Sequence, residues 1–212
     1  MKKIIFLAIT LLSTLNVCAQ REEGTFTIQP KVGLNISNGS TSSDNLTRVS
    51  PRLGLAAGVE AEYQVSRILS LSAGALYSMQ GIKGKTTITI ISLEKASKTE
   101  FDDVIKLDYI TVPIMANFYV TKGLAVKFGV QPAFLVHNGY KVSSSQKGDS
   151  GKLTDIGYEL NTFDFSIPVG ISGEYSNVVL DARYNIGVTK ITKNYGGRNS
   201  IFQFTLGYKF EL

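Results

Sequence analysis

The chain has 212 residues, 43% of them hydrophobic, with 22 basic and 17 acidic side chains and a formal net charge of +5. That small excess does not argue for nucleic acid as a partner, and the length suits a single barrel or one to two ordinary domains. Beyond Ala19 no apolar run reaches the roughly 20 residues that a membrane-crossing helix needs, which excludes a helical membrane protein.

Lys2 and Lys3, the apolar run 4–15 and Val17-Cys18-Ala19 ahead of Gln20 read as a cleavable signal peptide over residues 1–19. A lipoprotein with Cys18 acylated is the alternative, but Val17 is bulky where a small residue is expected. Cleavage after Ala19 removes the single cysteine of the chain. Residues 20–212 would then have no disulfide, no thiol chemistry and no thiolate metal site.

Eight segments of period-two alternation follow, each predicting a strand with one apolar and one polar face. In residues 26–37, Phe26, Ile28, Pro30, Val32, Leu34 and Ile36 alternate with Thr27, Gln29, Lys31, Gly33, Asn35 and Ser37. A loop rich in Ser, Thr, Asn and Gly follows over 38–48. Residues 52–65 put Leu53, Leu55, Val59, Tyr63 and Val65 opposite Arg52, Glu60, Glu62 and Gln64. A turn at Ser66-Arg67 leads to 69–80, with Leu69, Leu71, Tyr77 and Met79 on the apolar face. A long connection over 81–103 contains a strand-like TTITIIS and is expected to be a hairpin extension with a charged tip.

The fourth segment, 104–120, sends Ile110, Val112, Ile114, Ala116, Phe118 and Val120 out and Tyr109, Thr111, Met115, Asn117 and Tyr119 in. After a turn at 121–123, the fifth sends Leu124, Val126, Phe128, Val130, Pro132, Phe134 and Val136 out. A second long loop is expected over 138–160. The sixth, 163–175, and the seventh, 178–188, join through Ser176-Asn177. Asp164, Ser166, Glu174, Asp181, Arg183 and Asn185 point in. A loop through 194–198 leads to the closing segment, 200–212. There Phe202, Phe204, Leu206, Tyr208, Phe210 and Leu212 alternate with Gln203, Thr205, Gly207, Lys209 and Glu211.

Three features make this list a transmembrane barrel. Connections alternate short and long, as in outer-membrane barrels with short periplasmic turns and long external loops. The apolar parity carries no charge between Ile110 and Val120 of the fourth segment, nor anywhere in the other seven, and a Lys or Arg there would cost about 2–4 kcal/mol at mid-bilayer. Aromatic residues gather at segment ends: Phe26, Tyr63, Phe118, Tyr175, Tyr208 and Phe210 at one rim, Tyr77, Phe134, Phe163 and Phe202 at the other. The competing architecture is a soluble β-sandwich or soluble barrel, whose apolar face would point inward.

On this register the lumen holds Lys31, Arg52, Lys127, Arg183 and Lys209 with Glu60, Glu62, Asp164, Glu174, Asp181 and Glu211. Eight strands leave an interior that side chains just fill, so a paired polar core is expected there, centred on Asp181 and Arg183. The alternative use is a proton or ion path. No catalytic set is found. His137 is a lone histidine at a strand end, the serines lack a nucleophile elbow, and no metal-binding spacing occurs. No cofactor-binding residues are assigned. Gly129, Gly170 and Gly187 lie inside strands, where they permit close approach or bending. Pro30, Pro113, Pro132 and Pro168 also lie inside strands and should each mark a bulge or a missing ladder bond.

The stretch Asp108-Tyr109-Ile110-Thr111-Val112-Pro113-Ile114 resembles the Y-L-E-I-P-L stretch of PorT-type outer-membrane β-barrel proteins of Bacteroidetes. Lys31-Val32-Gly33-Leu34-Asn35 resembles that family's first strand, 180–187 its penultimate strand and 206–210 its ending. The order of these stretches along the chain is the family's. Thr111 departs from the pattern, standing where the family has Glu. Glu211-Leu212 extends past the aromatic on which such chains usually end.

The expected fold is therefore all-β: an eight-stranded antiparallel up-and-down transmembrane barrel over 20–212, both termini periplasmic, in the outer membrane. The expected role is non-enzymatic, a membrane-embedded scaffold presenting loops or an accessory to an envelope or secretion assembly. The expected partners are outer-membrane lipid and a protein of such an assembly, not nucleic acid. A narrow pore and a lipid-modifying enzyme are the alternatives.

Overall fold

The computed structural model describes residues 22–40, 47–91, 96–144, 148–151, 160–191 and 198–212. The signal-peptide reading, most of the 194–198 loop and the tips of the other long loops lie outside these residues. The described chain forms β1 (Phe26–Ser40), β2 (Thr47–Ser66), β3 (Leu69–Ile91), β4 (Ala96–Thr111), β5 (Ile114–Thr121), β6 (Leu124–Ser144), β7 (Gly148–Gly151), β8 (Phe163–Tyr175), β9 (Val178–Gly187), β10 (Arg198–Tyr208) and β11 (Phe210–Glu211). β4 and β5 make one stave, interrupted at Val112-Pro113, and β10 and β11 make another, interrupted at Lys209. β7 folds back on the end of β6.

The eight staves pair antiparallel in chain order, and β10 closes on β1 from Lys31↔Gly207 to Ser40↔Arg198. Closure leaves the wall no unpaired edge, which a sheet in lipid requires because nothing there can satisfy free backbone groups. The faces sort as the alternation predicts. Thr27, Gln29, Lys31, Asn35 and Ser37 of β1 are buried, whereas Val32 and Leu34 are more than half exposed. The same inversion recurs around the ring, from Leu53 at 67% exposure to Leu180 at 64%, while Glu60 and Asp181 are sealed inside. A soluble protein rarely exposes apolar patches larger than a few hundred Å2, so an apolar girdle over every stave needs lipid against it.

Aromatic residues line both rims. Phe26 pairs with Tyr63, and Phe118 with Leu69, at the short-turn end. At the hairpin end, Tyr77, Ile110, Phe134 and Phe163 occupy one cross-strand row. Phe134 and Phe163 meet edge to face, with ring centroids 5.6 Å apart.

Each proline sits at a ladder defect. Pro113 is the interruption between β4 and β5, and Val112 N donates across it to Pro132 O at 2.8 Å. Pro168 faces the gap in β6–β8 pairing between Phe128 and Gln131, across which the register is unchanged. Pro30 lies between the β10 and β11 pairings of β1, opposite the interruption at Lys209. There the Lys209 backbone turns instead to Asn177: Lys209 N donates to Asn177 O at 2.8 Å, and Asn177 Nδ2 donates to Lys209 O at 3.1 Å.

Several sequence expectations need correction. The first short turn is Arg67-Ile68, since Ser66 still pairs with Leu69. β1 and β2 reach into the expected 38–48 loop, and β6 and β7 form a hairpin inside the expected 138–160 loop. By contrast, the 81–103 connection is the hairpin extension that the sequence leads one to expect, paired as far as Ile91↔Ala96. Glu211 is exposed and not enclosed with the other charges: β11 keeps the register of β10, with Thr27↔Glu211 following Lys31↔Gly207, but the residue stands at the open end of the barrel, where water reaches it.

Candidate functional site

Most of the enclosed charges fall into two groups. In the first, Lys31, Glu60, Lys127, Asp181 and Arg183 converge from β1, β2, β6 and β9. Lys127 Nζ lies 3.1 Å from Glu60 Oε1 and 2.7 Å from Asp181 Oδ2. Lys31 Nζ lies 2.9 Å from Glu60 Oε2 and 3.6 Å from Asp181 Oδ2. Arg183 reaches Asp181 Oδ1 through Nε at 2.9 Å and Glu60 Oε2 through Nη2 at 3.4 Å. Three cations thus share two carboxylates, and all five side chains are at most 4% exposed.

In the second group Lys209 Nζ bridges Glu62 Oε2 at 2.8 Å and Glu174 Oε2 at 3.0 Å. Ser70 Oγ donates to Glu62 Oε1 at 2.6 Å, and the Tyr119 hydroxyl bonds the same oxygen. This group has one cation and two carboxylates. The excess positive charge of the first group is therefore matched by the excess negative charge of the second. Leaving a buried ion unpaired costs several kcal/mol, and this arrangement leaves the lumen electrically neutral over the two groups.

Local sequence makes room for the network. Lys31 is flanked in register by Gly58 and Gly207. Lys127 and Arg183 flank Gly170 on β8. These inward glycines leave space where long side chains from adjacent staves must lie over the wall. A Cβ on Gly170 would come within 2.8 Å of the Arg183 Cβ.

Toward the hairpin end the interior continues as amides and hydroxyls. Asn35 Nδ2 donates to Ser78 Oγ at 2.9 Å and Met79 O at 3.1 Å, and Gln203 Nε2 donates to Asn35 Oδ1 at 2.9 Å. Arg52 donates to Gln80 O, and Thr189 Oγ1 donates to Asp164 Oδ1. Beyond them lies an apolar layer that the sequence reading missed: Leu107, Tyr109, Ala133 and Ile191, with Leu160 and Tyr140 packed on it. Two loop segments supply part of it and are tied down by Asn161 N to Ile191 O at 2.9 Å and Leu135 N to Thr162 O at 2.8 Å. Tyr109 was legible as an inward apolar residue, but nothing in the local pattern marked Leu160 and Ile191 as its partners.

The structure brings together Lys31, Glu60, Lys127, Asp181 and Arg183, with Asp181 and Arg183 at the centre. It places Lys209, Glu62 and Glu174 apart from them, and Arg52 and Asp164 nearer the hairpin end. His137 is an exposed wall residue whose register partner is Asp108. Among the described residues no three His, Cys, Asp or Glu side chains converge as a metal site would. What the network does chemically is hold charge in fixed pairs across the lumen.

The model for the outer membrane protein beta-barrel domain matches residues 18–193. The chain belongs to that family. The match takes in β1 to β9 and ends before the closing β10. Among solved structures, this outer membrane barrel is similar to Ail, the attachment invasion locus protein of Yersinia pestis. The two share 15% identity with a TM-score of 0.47, over 89% of this chain and 100% of that one. It is also similar to Neisserial surface protein A, at 18% identity and a TM-score of 0.46, over 89% and 100% of the two chains. A third likeness is to OprG of Pseudomonas aeruginosa, at 10% identity and a TM-score of 0.45, over 90% and 97%. The comparison with curated proteins found no match. Family membership and the closed apolar-outside ring place the protein in the outer membrane.

Proposed function

We propose that the protein is a non-enzymatic, plugged barrel whose work is to hold its hairpin loops at the cell surface as a membrane-embedded scaffold. It would be exported through a signal peptide at residues 1–19, with both ends of the barrel periplasmic. The observation that carries this reading is the five-residue network of Lys31, Glu60, Lys127, Asp181 and Arg183, which draws staves from separate parts of the ring onto one set of ion pairs. A conducting lumen needs sites that ions enter and leave, and here the charged groups are engaged with one another. The apolar layer around Tyr109 is a second obstruction nearer the loops. The resemblance to PorT-type proteins supports a place beside an envelope or secretion assembly, with the hairpins on β3–β4 and β6–β7 as the contact elements.

Planar-bilayer recording on the refolded barrel tests this reading. A plugged scaffold passes no steady current across physiological voltages and salt. A sustained, ion-selective conductance that rises when Asp181 is replaced with Ala would establish a pore instead.

A further inference from the structure

Just above the hairpin-end aromatic row, three lysines stand together on the outside of the wall. The register pairs Lys83 with Val104 and Val104 with Lys141, so one row across β3, β4 and β6 carries a lysine on each flank. Lys106 lies two residues nearer the membrane on β4, on the same face, between Gly81 and Gly139. This face is the outer one. Farther along β4 it carries the exposed Ile110, while Ile105 and Leu107 on the other parity pack into the interior layer. Lys83, Lys106, Lys141 and His137 are all exposed. Asp108 lies at the lower edge of the patch and accepts a hydrogen bond from the Tyr77 hydroxyl at 3.0 Å. In the row nearer the tip the register places Arg48, Lys85 and Asp102.

Height decides what such a patch meets. The apolar band of an outer-membrane barrel is about 25 Å tall. From Phe118 to Ile110 the wall takes up roughly 20 Å of it, at about 3.3 Å per residue and a tilt near 40°. The hydrocarbon boundary then falls near Asp108, and Lys106 lies roughly 5 Å past it, inside the headgroup layer. Lysine stems lie along the apolar wall while their ammonium groups seek charge or water at that level. The glycines beside Lys106 keep side chains from shielding it. The short-turn end differs: its exposed charges mix Glu22, Glu23 and Glu211 with Arg67 and Lys122.

We infer that Lys83, Lys106 and Lys141 form a binding site for the phosphorylated head of an outer-leaflet glycolipid, clamped against the wall of β3, β4 and β6. The inference rests on the hairpin end facing the outer leaflet and not on the plugged lumen. A barrel found to conduct would leave it standing.

The test is lipid binding by the refolded barrel in detergent, read by native mass spectrometry with diphosphoryl lipid A, its dephosphorylated form, and inorganic phosphate as competitor. The wild type should bind the phosphorylated lipid about tenfold or more tighter than the dephosphorylated one, as expected of several Lys side chains at an anionic surface. Combining Lys83→Gln, Lys106→Gln and Lys141→Gln should abolish that preference. Combining Arg67→Gln with Lys122→Gln at the other end should leave it intact. Equal affinity in wild type and triple variant would overturn the site. Displacement of the lipid by millimolar phosphate would overturn the lipid assignment in favour of a free anion. Heat-modified gel mobility confirms folding, and if the triple variant does not fold, Lys106→Gln alone carries the same comparison.

Discussion

Lys127 on β6 and Asp181 on β9 meet across the intervening stave β8, with Nζ 2.7 Å from Oδ2. Between them β8 presents Gly170, the register partner of both Lys127 and Arg183, so no side chain obstructs the approach. One contact thus ties strand order, the placement of a glycine and the closing of the lumen together.

The charge count around this contact orders the effects of substitution. Asp181→Asn leaves three cations sharing Glu60 and should destabilise the barrel by about 3–5 kcal/mol. Lys127→Met leaves two cations on two carboxylates and should cost markedly less. Urea unfolding in lipid vesicles checks the order, and a Lys127→Met loss equal to or larger than that of Asp181→Asn would contradict the electrostatic account.

Gly170→Ala should destabilise by about 1–3 kcal/mol, as overpacking does. The added Cβ would lie 2.5 Å from Ala182 O and 2.8 Å from Arg183 Cβ. Gly24 is a contrast, since a Cβ there meets nothing within 4 Å, although its φ of +87° favours glycine. The same unfolding assay distinguishes a packing loss at Gly170 from a wild-type midpoint.

The Ser176-Asn177 turn has φ of 47° and 70°, values that suit a two-residue hairpin and that Asn and Gly tolerate better than other residues. Asn177→Ala removes both the tolerance and the bond from Nδ2 to Lys209 O. Asn177→Gly removes the bond alone. Alanine should therefore cost more than glycine, by roughly 1 kcal/mol. Equal midpoints for the two variants would mean that the backbone conformation contributes nothing.

A nitroxide or fluorophore on Leu180→Cys should report hydrocarbon, with strong quenching by lipid-borne quenchers. A label on Gln203→Cys should not, because Gln203 is buried in the lumen and Leu180 is exposed on the wall. If both labels showed the same lipid access, the assignment of inside and outside would fail.

Most of the wall was legible in the residues themselves. Alternation in 200–212 identified Phe202, Phe204 and Leu206 as outward and Gln203, Thr205 and Lys209 as inward, since a strand turns successive side chains to opposite faces. Asp181 and Arg183 were legible as a pair because two residues along a strand return to one face. Turn residues at Lys122-Gly123 and Ser176-Asn177 announced the short connections. Local pattern could also flag the prolines, because a missing N–H must leave a gap in any paired strand.

Long-range pairing decided the rest. Glu60 and Arg183 are 123 residues apart, and they meet because the stagger of the closed ring sets which rows coincide. The outward triad of Lys83, Lys106 and Lys141 and the layer joining Tyr109 to Ile191 have the same origin. Alternation says which side of the wall a residue takes. Only closure of the ring, with its interruptions at Pro113 and Lys209, says at what height it stands and whom it meets there.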